Sequence, residues 1–170
     1  GNVESIYVKR TLTPFGEYIP LRSLSELVSP FAENVADFIP GTMSIQHKIY
    51  VANVAPIICY ELINDSNVNS NVAGSNLVVV QTNNATFADS GQSIQQLNIS
   101  RIRAIEYNRW VVSVSTTGVS AIIDNRGVIR FITKQNEAVY IESEIPLIQE
   151  ASMSQRLNSY NAILIVALSI

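Results

Sequence analysis

Short apolar runs separated by polar, turn-forming stretches dominate this chain, and a single long helical period stands among them. Asn53 to Cys59 alternates as a strand does, with Val54, Pro56 and Ile58 on one face and Ala55, Ile57 and Cys59 on the other. Met43 to Val51 reads as a strand before it, after the Pro40-Gly41 turn, and Ser5 to Val8 as a short strand near the start. Leu77 to Val80 is a continuous apolar run, which predicts a strand covered on both faces. Between Ser90 and Asn108, the spacing of Ile94, Leu97, Ile102 and Ile105 predicts the best helix, with Arg101, Arg103 and Arg109 on or near its rim. Trp110 to Ser115, Val119 to Ile123, Val128 to Thr133 and Ala138 to Ile141 predict four further strands, with a hairpin turn at Asp124-Asn125-Arg126-Gly127. Ser23 to Asp37 has helical composition divided by Pro30, Asn64 to Ser75 is helical or irregular, and Thr11 to Pro20 is an ordered loop.

Strands interleaved with helices and closed by hairpins imply an α/β layered fold with mixed strand directions. No domain boundary is expected before about Gln149. Ala162 to Ile170 is almost wholly apolar but shorter than the roughly 20 residues that span a bilayer, so it reads as a buried terminal helix or the first half of a membrane helix.

Composition narrows the partners. Charged residues are 15% of the 170 and hydrophobic ones 47%, an apolar balance for a globular domain. The net charge is -3 and no basic cluster is visible, so nucleic acid is not expected as a partner. One cysteine and one histidine exclude a disulfide framework and Cys- or His-built metal sites, and no cofactor or metal is expected.

The chemistry concentrates in two segments. Ile57-Ile58-Cys59-Tyr60-Glu61 places the sole cysteine at the end of an apolar strand, directly before a carboxylate. Tyr7 to Pro20 carries Lys9, then the Pro14-Phe15-Gly16 turn, then Glu17. Such a cysteine is either an inert core residue or a nucleophile exposed at a strand-to-helix elbow, where α/β sheets place ligands. Lys9 is either a solvated lysine or a fixed positive charge facing an oxyanion. Glu17 and Glu61 read as loop carboxylates or as members of that site, and Asn83 and Asn84 as turn residues. Tyr7, Tyr18, Tyr60 and Trp110 read as packing groups and His47 as a surface residue.

These residues resemble the carbon–nitrogen hydrolase (nitrilase) superfamily, and within it the apolipoprotein N-acyltransferase branch. Lys9-Arg10-Thr11-Leu12-Thr13-Pro14-Phe15-Gly16-Glu17-Tyr18-Ile19-Pro20 and Ile58-Cys59-Tyr60-Glu61 carry the likeness. Thr82 to Phe87, Gln95 to Glu106 and Ser115 to Ala121 are similar to that branch's asparagine loop, long helix and Asn-Thr-Gly-x-Ser-Ala hairpin. The resemblance implies a four-layer α-β-β-α sandwich with mixed sheets and a Glu-Lys-Cys triad. It makes Cys59 the nucleophile, Lys9 the stabiliser of the tetrahedral intermediate, and Glu17 and Glu61 its supports. The N–H of Tyr60 completes the oxyanion hole, and Asn83 and Asn84 lie in the substrate loop.

The implied reaction moves an acyl chain from a membrane phospholipid, through a cysteine thioester, to the amine of a lipoprotein's N-terminal diacylglyceryl-cysteine. It runs at the outer face of the bacterial cytoplasmic membrane. Two departures shape the expectation. Only Glu4 precedes Lys9, too close to be the general base, and the loop Asn84-Ala85-Thr86-Phe87 lacks the branch's usual Asp and Trp. Residues 1–150 are therefore expected to be the carboxy-terminal part of the hydrolase domain, incomplete at its N-terminal side and inactive alone. Residues 151–170 are expected to be a linker and the start of a truncated membrane helix. A soluble nitrilase-type amidase and a catalytically dead binding module are the alternative readings.

Overall fold

Six strands form one mixed sheet in chain order: β1 (His47–Ile49), β2 (Ala52–Ile58), β3 (Leu77–Thr82), β4 (Val111–Ser115), β5 (Ala121–Ile123) and β6 (Ile129–Ile132). The computed structural model describes residues 4–22, 37–85 and 90–157. The helical reading of Ser23 to Asp37, apart from Asp37, and the apolar run Ala162 to Ile170 lie outside the described residues. β2, β3 and β4 are parallel, while β1, β5 and β6 add antiparallel strands at the two sides. Parallel neighbours need crossover connections. A 3-10 helix (Cys59–Ile63) and α1 (Asp65–Val72) connect β2 to β3, and α2 (Gln92–Tyr107) connects β3 to β4. A one-turn α3 (Met153–Leu157) follows the sheet.

Register sorts the side chains. Ala55 stands beside Val78, Val78 beside Val111, and Val111 beside Ile123, so these residues form one row on one face. That row joins Ile57, Val80, Leu62, Val68, Val72, Leu97, Ala104 and Tyr107 in a single buried cluster between sheet and helices. The other face is apolar too, with Val54 and Ile122 buried and Val114 and Phe131 about half exposed. The described residues thus contribute one sheet and one helix layer of the α/β fold, and a second sheet is not found among them.

Local chemistry explains the elements. The Asn-rich stretch becomes a helix because the Asn64 side chain accepts the N–H of Asn67 and caps it. Val68 and Val72 then face the core four residues apart. α2 stops where Asn108 turns left-handed, at φ 51°. The turn at Asp124 to Gly127 closes with Gly127 at φ 75° and the Asp124 carboxylate accepting the N–H groups of Arg126 and Val128.

Three predicted strands are corrected. Ser5 to Val8 is an irregular strap, because its partners are side chains and not a ladder. Met43 to Val51 reduces to the three residues of β1, since Tyr50, at φ 52°, opens a two-residue turn into β2. Ala138 to Ile141 runs as irregular chain beside Val112 and Ile122. Two arginines read as rim residues are buried instead. Arg109 donates to the carbonyls of Ser75, Asn108 and Glu150, and Arg103 to that of Leu62.

Candidate active site

β2 ends at an elbow. Ile58 is its last residue, Cys59 takes a left-handed φ of 51°, and the 3-10 helix starts there. A non-glycine residue in that conformation costs about 1–3 kcal/mol and persists only where its surroundings enforce it. Glu61 supplies the enforcement. Its side chain is wholly buried and Oε2 turns back to accept the N–H of Ile58 at 2.8 Å.

The other oxygen of Glu61 reaches across the chain. Oε1 accepts from the Tyr7 hydroxyl (2.9 Å), the backbone N–H groups of Arg10 (2.5 Å) and Thr11 (3.3 Å), and Asn67 Nδ2 (3.0 Å). One carboxylate therefore fixes both the cysteine elbow and the strap that carries Lys9. α1 reinforces this contact. Arg10 donates to Asn67 Oδ1 and Ser70 Oγ, and Asn71 Nδ2 donates to the Tyr7 oxygen at 2.7 Å. Burial, together with the neighbouring Glu61 charge, pushes the Tyr7 hydroxyl up to about 12 against the lowering effect of the Asn71 bond. Tyr7 therefore stays a donor at every ordinary pH. The strap is also held at Lys9, whose carbonyl accepts the N–H of Gly41 at 2.8 Å.

Lys9 Nζ donates to Glu17 Oε2 at 2.5 Å and to Thr13 Oγ1 at 3.2 Å. The Thr13 to Tyr18 turn makes the pairing possible. Glu17 N–H bonds back to the Thr13 carbonyl, Phe15 stands at φ 61°, and Glu17 Oε2 accepts the Thr13 N–H at 2.7 Å. The pair is mostly covered, the lysine side chain 11% exposed and the glutamate 22%. Burial pushes the Glu17 carboxyl up, but the hydrogen bonds from Lys9 and Thr13 outweigh it and hold the group below the ordinary carboxylate value.

A cavity of about 230 Å³ opens beside the elbow. Thr13, Cys59 and Leu62 line one side, and Gln92, Gln96 and Ile99 of α2 the other. Gln96 Nε2 lies 3.8 Å from Cys59 Sγ. Thr13 joins the two halves of the site, since its hydroxyl oxygen accepts a hydrogen bond from Lys9 Nζ and the residue borders the cavity that Cys59 lines.

The structure thus sets Cys59, Tyr60 and Glu61 at one elbow, with Cys59 and Tyr60 on its cavity, while Lys9 and Glu17 pair with each other and meet that cavity through Thr13. It does not bring Asn83 there. Asn83 accepts from Ala85 N–H and Thr116 Oγ1 as a turn residue and borders a different depression, beside Ile58 and Val114. Asn84 is buried, its Oδ1 without a partner among the described residues, and its Nδ2 lies at the place a Gly118 side chain would occupy. Thr13, Asn67, Asn71 and Gln96 are site residues that sequence reading missed. Their one signal is position: Thr13 lies four residues before Glu17, Asn67 and Asn71 are one helical turn apart, and Gln96 follows Gln92 at the same spacing.

Residues 1–153 match the family model for carbon–nitrogen hydrolases. The chain belongs to the carbon–nitrogen hydrolase family.

Relatives within the family are informative. The chain is 36% identical over 141 residues to an apolipoprotein N-acyltransferase of Mycolicibacterium smegmatis, covering 82% of this chain and 23% of that protein. It is 30% identical over 172 residues to the apolipoprotein N-acyltransferase of Pseudomonas putida, covering 99% of this chain and 34% of that one. It therefore spans about a quarter to a third of the length of these curated relatives. Among solved structures, it is similar to an alanine mutant of the Nesterenkonia AN1 amidase from the nitrilase superfamily, at TM-score 0.54 and 17% identity over 82% of this chain and 53% of that one. Nit3 of Saccharomyces cerevisiae, a member of branch 10 of the nitrilase superfamily, is similar at TM-score 0.51 and 19% identity over 62% of this chain and 41% of that one. The fold is that of the nitrilase superfamily. Among the described residues of this carbon–nitrogen hydrolase, no helix is long and apolar enough to cross a membrane.

Proposed function

We propose that this chain is the carboxy-terminal part of an apolipoprotein N-acyltransferase, with Cys59 as the acylated nucleophile. The observation that carries the reading is the elbow. Cys59 stands in a strained turn at the C-terminal end of a parallel strand, and the carboxylate that holds it there also holds the strap bearing Lys9. The names of the two relatives support the choice of reaction within the family.

In this mechanism the Cys59 thiolate attacks the ester carbonyl carbon of a phospholipid. The carbonyl oxygen takes up negative charge, met by the Lys9 ammonium and the N–H of Tyr60. Tyr60 lies in the first turn of the 3-10 helix, where backbone N–H groups have no partner within the helix. The C–O bond breaks, the lysophospholipid leaves with a proton from the general acid, and a thioester remains. The α-amine of a diacylglyceryl-cysteine then attacks the thioester. The C–S bond breaks, its electron pair returns to sulfur, and the amine proton passes to the general base. That proton carrier is the glutamate which the family resemblance places upstream of Lys9. Glu17 holds the Lys9 ammonium in place through its hydrogen bond, and Glu61 serves as structural anchor. The reaction belongs at the outer face of the cytoplasmic membrane, where both lipid substrates reside.

The test is N-acylation of a synthetic diacylglyceryl-cysteine lipopeptide by the full-length protein in phospholipid micelles. Cys59→Ala abolishes transfer, and Lys9→Met lowers it by roughly 10²–10³-fold, the usual effect of losing one oxyanion donor. Full activity in Cys59→Ala, or turnover of small amides in place of the lipopeptide, contradicts the proposal.

A further inference from the structure

We propose that Gln96 is the hydrogen-bond donor to the Cys59 sulfur and favours its thiolate form. This rests on the reading of Cys59 as nucleophile. Gln96 Nε2 is 3.8 Å from Sγ, within reach for an acceptor as large as sulfur.

The placement is built into α2. Gln92, Gln96, Ile99 and Arg103 follow one another at three- and four-residue spacing and lie on one face of the helix. Arg103 fixes that face against the elbow. Its Nε donates to the Leu62 carbonyl at 3.0 Å, and its other nitrogens to Asp65 and Glu106 at 2.6 Å. Two turns earlier, the same face delivers Gln96 to the sulfur. The Ser100 hydroxyl, itself fully buried, bonds the Gln96 carbonyl at 3.1 Å.

A glutamine amide keeps the same charge at every pH, so it discriminates between sulfur states only through its N–H. A thiol is a weak acceptor and a thiolate a strong one. A donor to the charged form lowers a thiol's pKa. Among the described residues, the other titratable groups facing this space are Tyr60 on the cysteine's own turn and, through Thr13, the Lys9–Glu17 pair. Glu61 directs its oxygens to Ile58 and to the strap. α2 contributes Gln92, Gln95, Gln96 and Ile99 to the cavity and no charge, and Gln96 is the one of these that hydrogen-bonds the sulfur.

The experiment follows iodoacetamide alkylation of Cys59 against pH in the full-length protein, with folding checked by thermal melting. Gln96→Met keeps the length of the side chain and removes the donor. The midpoint then rises by about one unit, a roughly tenfold loss of thiolate at neutral pH, while the high-pH plateau is unchanged. Gln96→Glu raises it further, because a carboxylate next to sulfur opposes the charge. If Gln96→Met does not fold, Gln96→Leu, which also lacks a donor and adds no charge, carries the test in the same way. An unchanged or lowered midpoint in a folded variant overturns the proposal. Retained acyl transfer in Cys59→Ala overturns instead the nucleophile reading beneath it, so the two failures are distinguishable.

Discussion

Glu61 grips the backbone of Arg10 across 51 positions of sequence, through a hydrogen bond of 2.5 Å from the Arg10 N–H to Oε1. Among the described residues no strand ladder holds the strap that carries Lys9, so this buried carboxylate takes the ladder's place. Glu61→Gln keeps the shape but removes the charge and turns an NH₂ group toward donors. Leaving buried N–H groups unpaired costs about 1–3 kcal/mol each, so the substitution lowers stability by ~2–4 kcal/mol in urea unfolding. Alkylation of Cys59 changes with it, because the elbow loses its Ile58 bond.

Tyr7→Phe tests the other end of the same network. It removes the hydroxyl shared between Glu61 and Asn71, while Glu61 Oε1 keeps its bonds from Arg10, Thr11 and Asn67 and Asn71 Nδ2 keeps the Pro56 carbonyl. Thermal unfolding is expected to show a loss of about 1–2 kcal/mol, smaller than for Glu61→Gln.

The Lys9–Glu17 pair sets a pH dependence. Glu17 titrates below its ordinary 4.5 in the folded protein, so the stability it adds is fully present above that value and is lost as the pH falls through the lowered one. Urea midpoints of wild type and Glu17→Gln should differ at pH 7, and the gap should shrink as the pH is lowered below 4.5. A gap that does not change with pH down to acid unfolding would show that the glutamate does not act through its charge.

Gly118→Ala tests the hairpin above the asparagine loop. An added Cβ would meet Ser93 Oγ, and would stand 2.6 Å from both Asn84 Nδ2 and Ser115 Oγ. Ser93 already accepts the Val119 N–H and Ser115 the Gly118 N–H, so neither hydroxyl moves freely. The expected cost is about 1–3 kcal/mol, read from thermal or urea unfolding.

Much of this architecture is legible in the pattern of residues. The two faces of β2 follow from alternation, and the elbow from a cysteine placed where the apolar run gives way to polar residues. The turn at Asp124 to Gly127 follows from its glycine. What sequence hides are partners that depend on the fold. Ser5 to Val8 alternates like a strand, yet its neighbours are the side chains of His47 and Glu61. Arg109 reads as a rim residue because its partners are backbone carbonyls as distant as Glu150, and carbonyls leave no trace in a sequence. Gln96 has an unremarkable place in a helix until α2 is set against the elbow.

The most direct measurement is the intact mass of the full-length protein after incubation with phospholipid and no acceptor, followed by peptide mapping. The account predicts one acyl chain added, located on Cys59 and released when a diacylglyceryl-cysteine peptide is supplied. An adduct on another residue, or none on Cys59 in an enzyme that still transfers acyl chains, would contradict it.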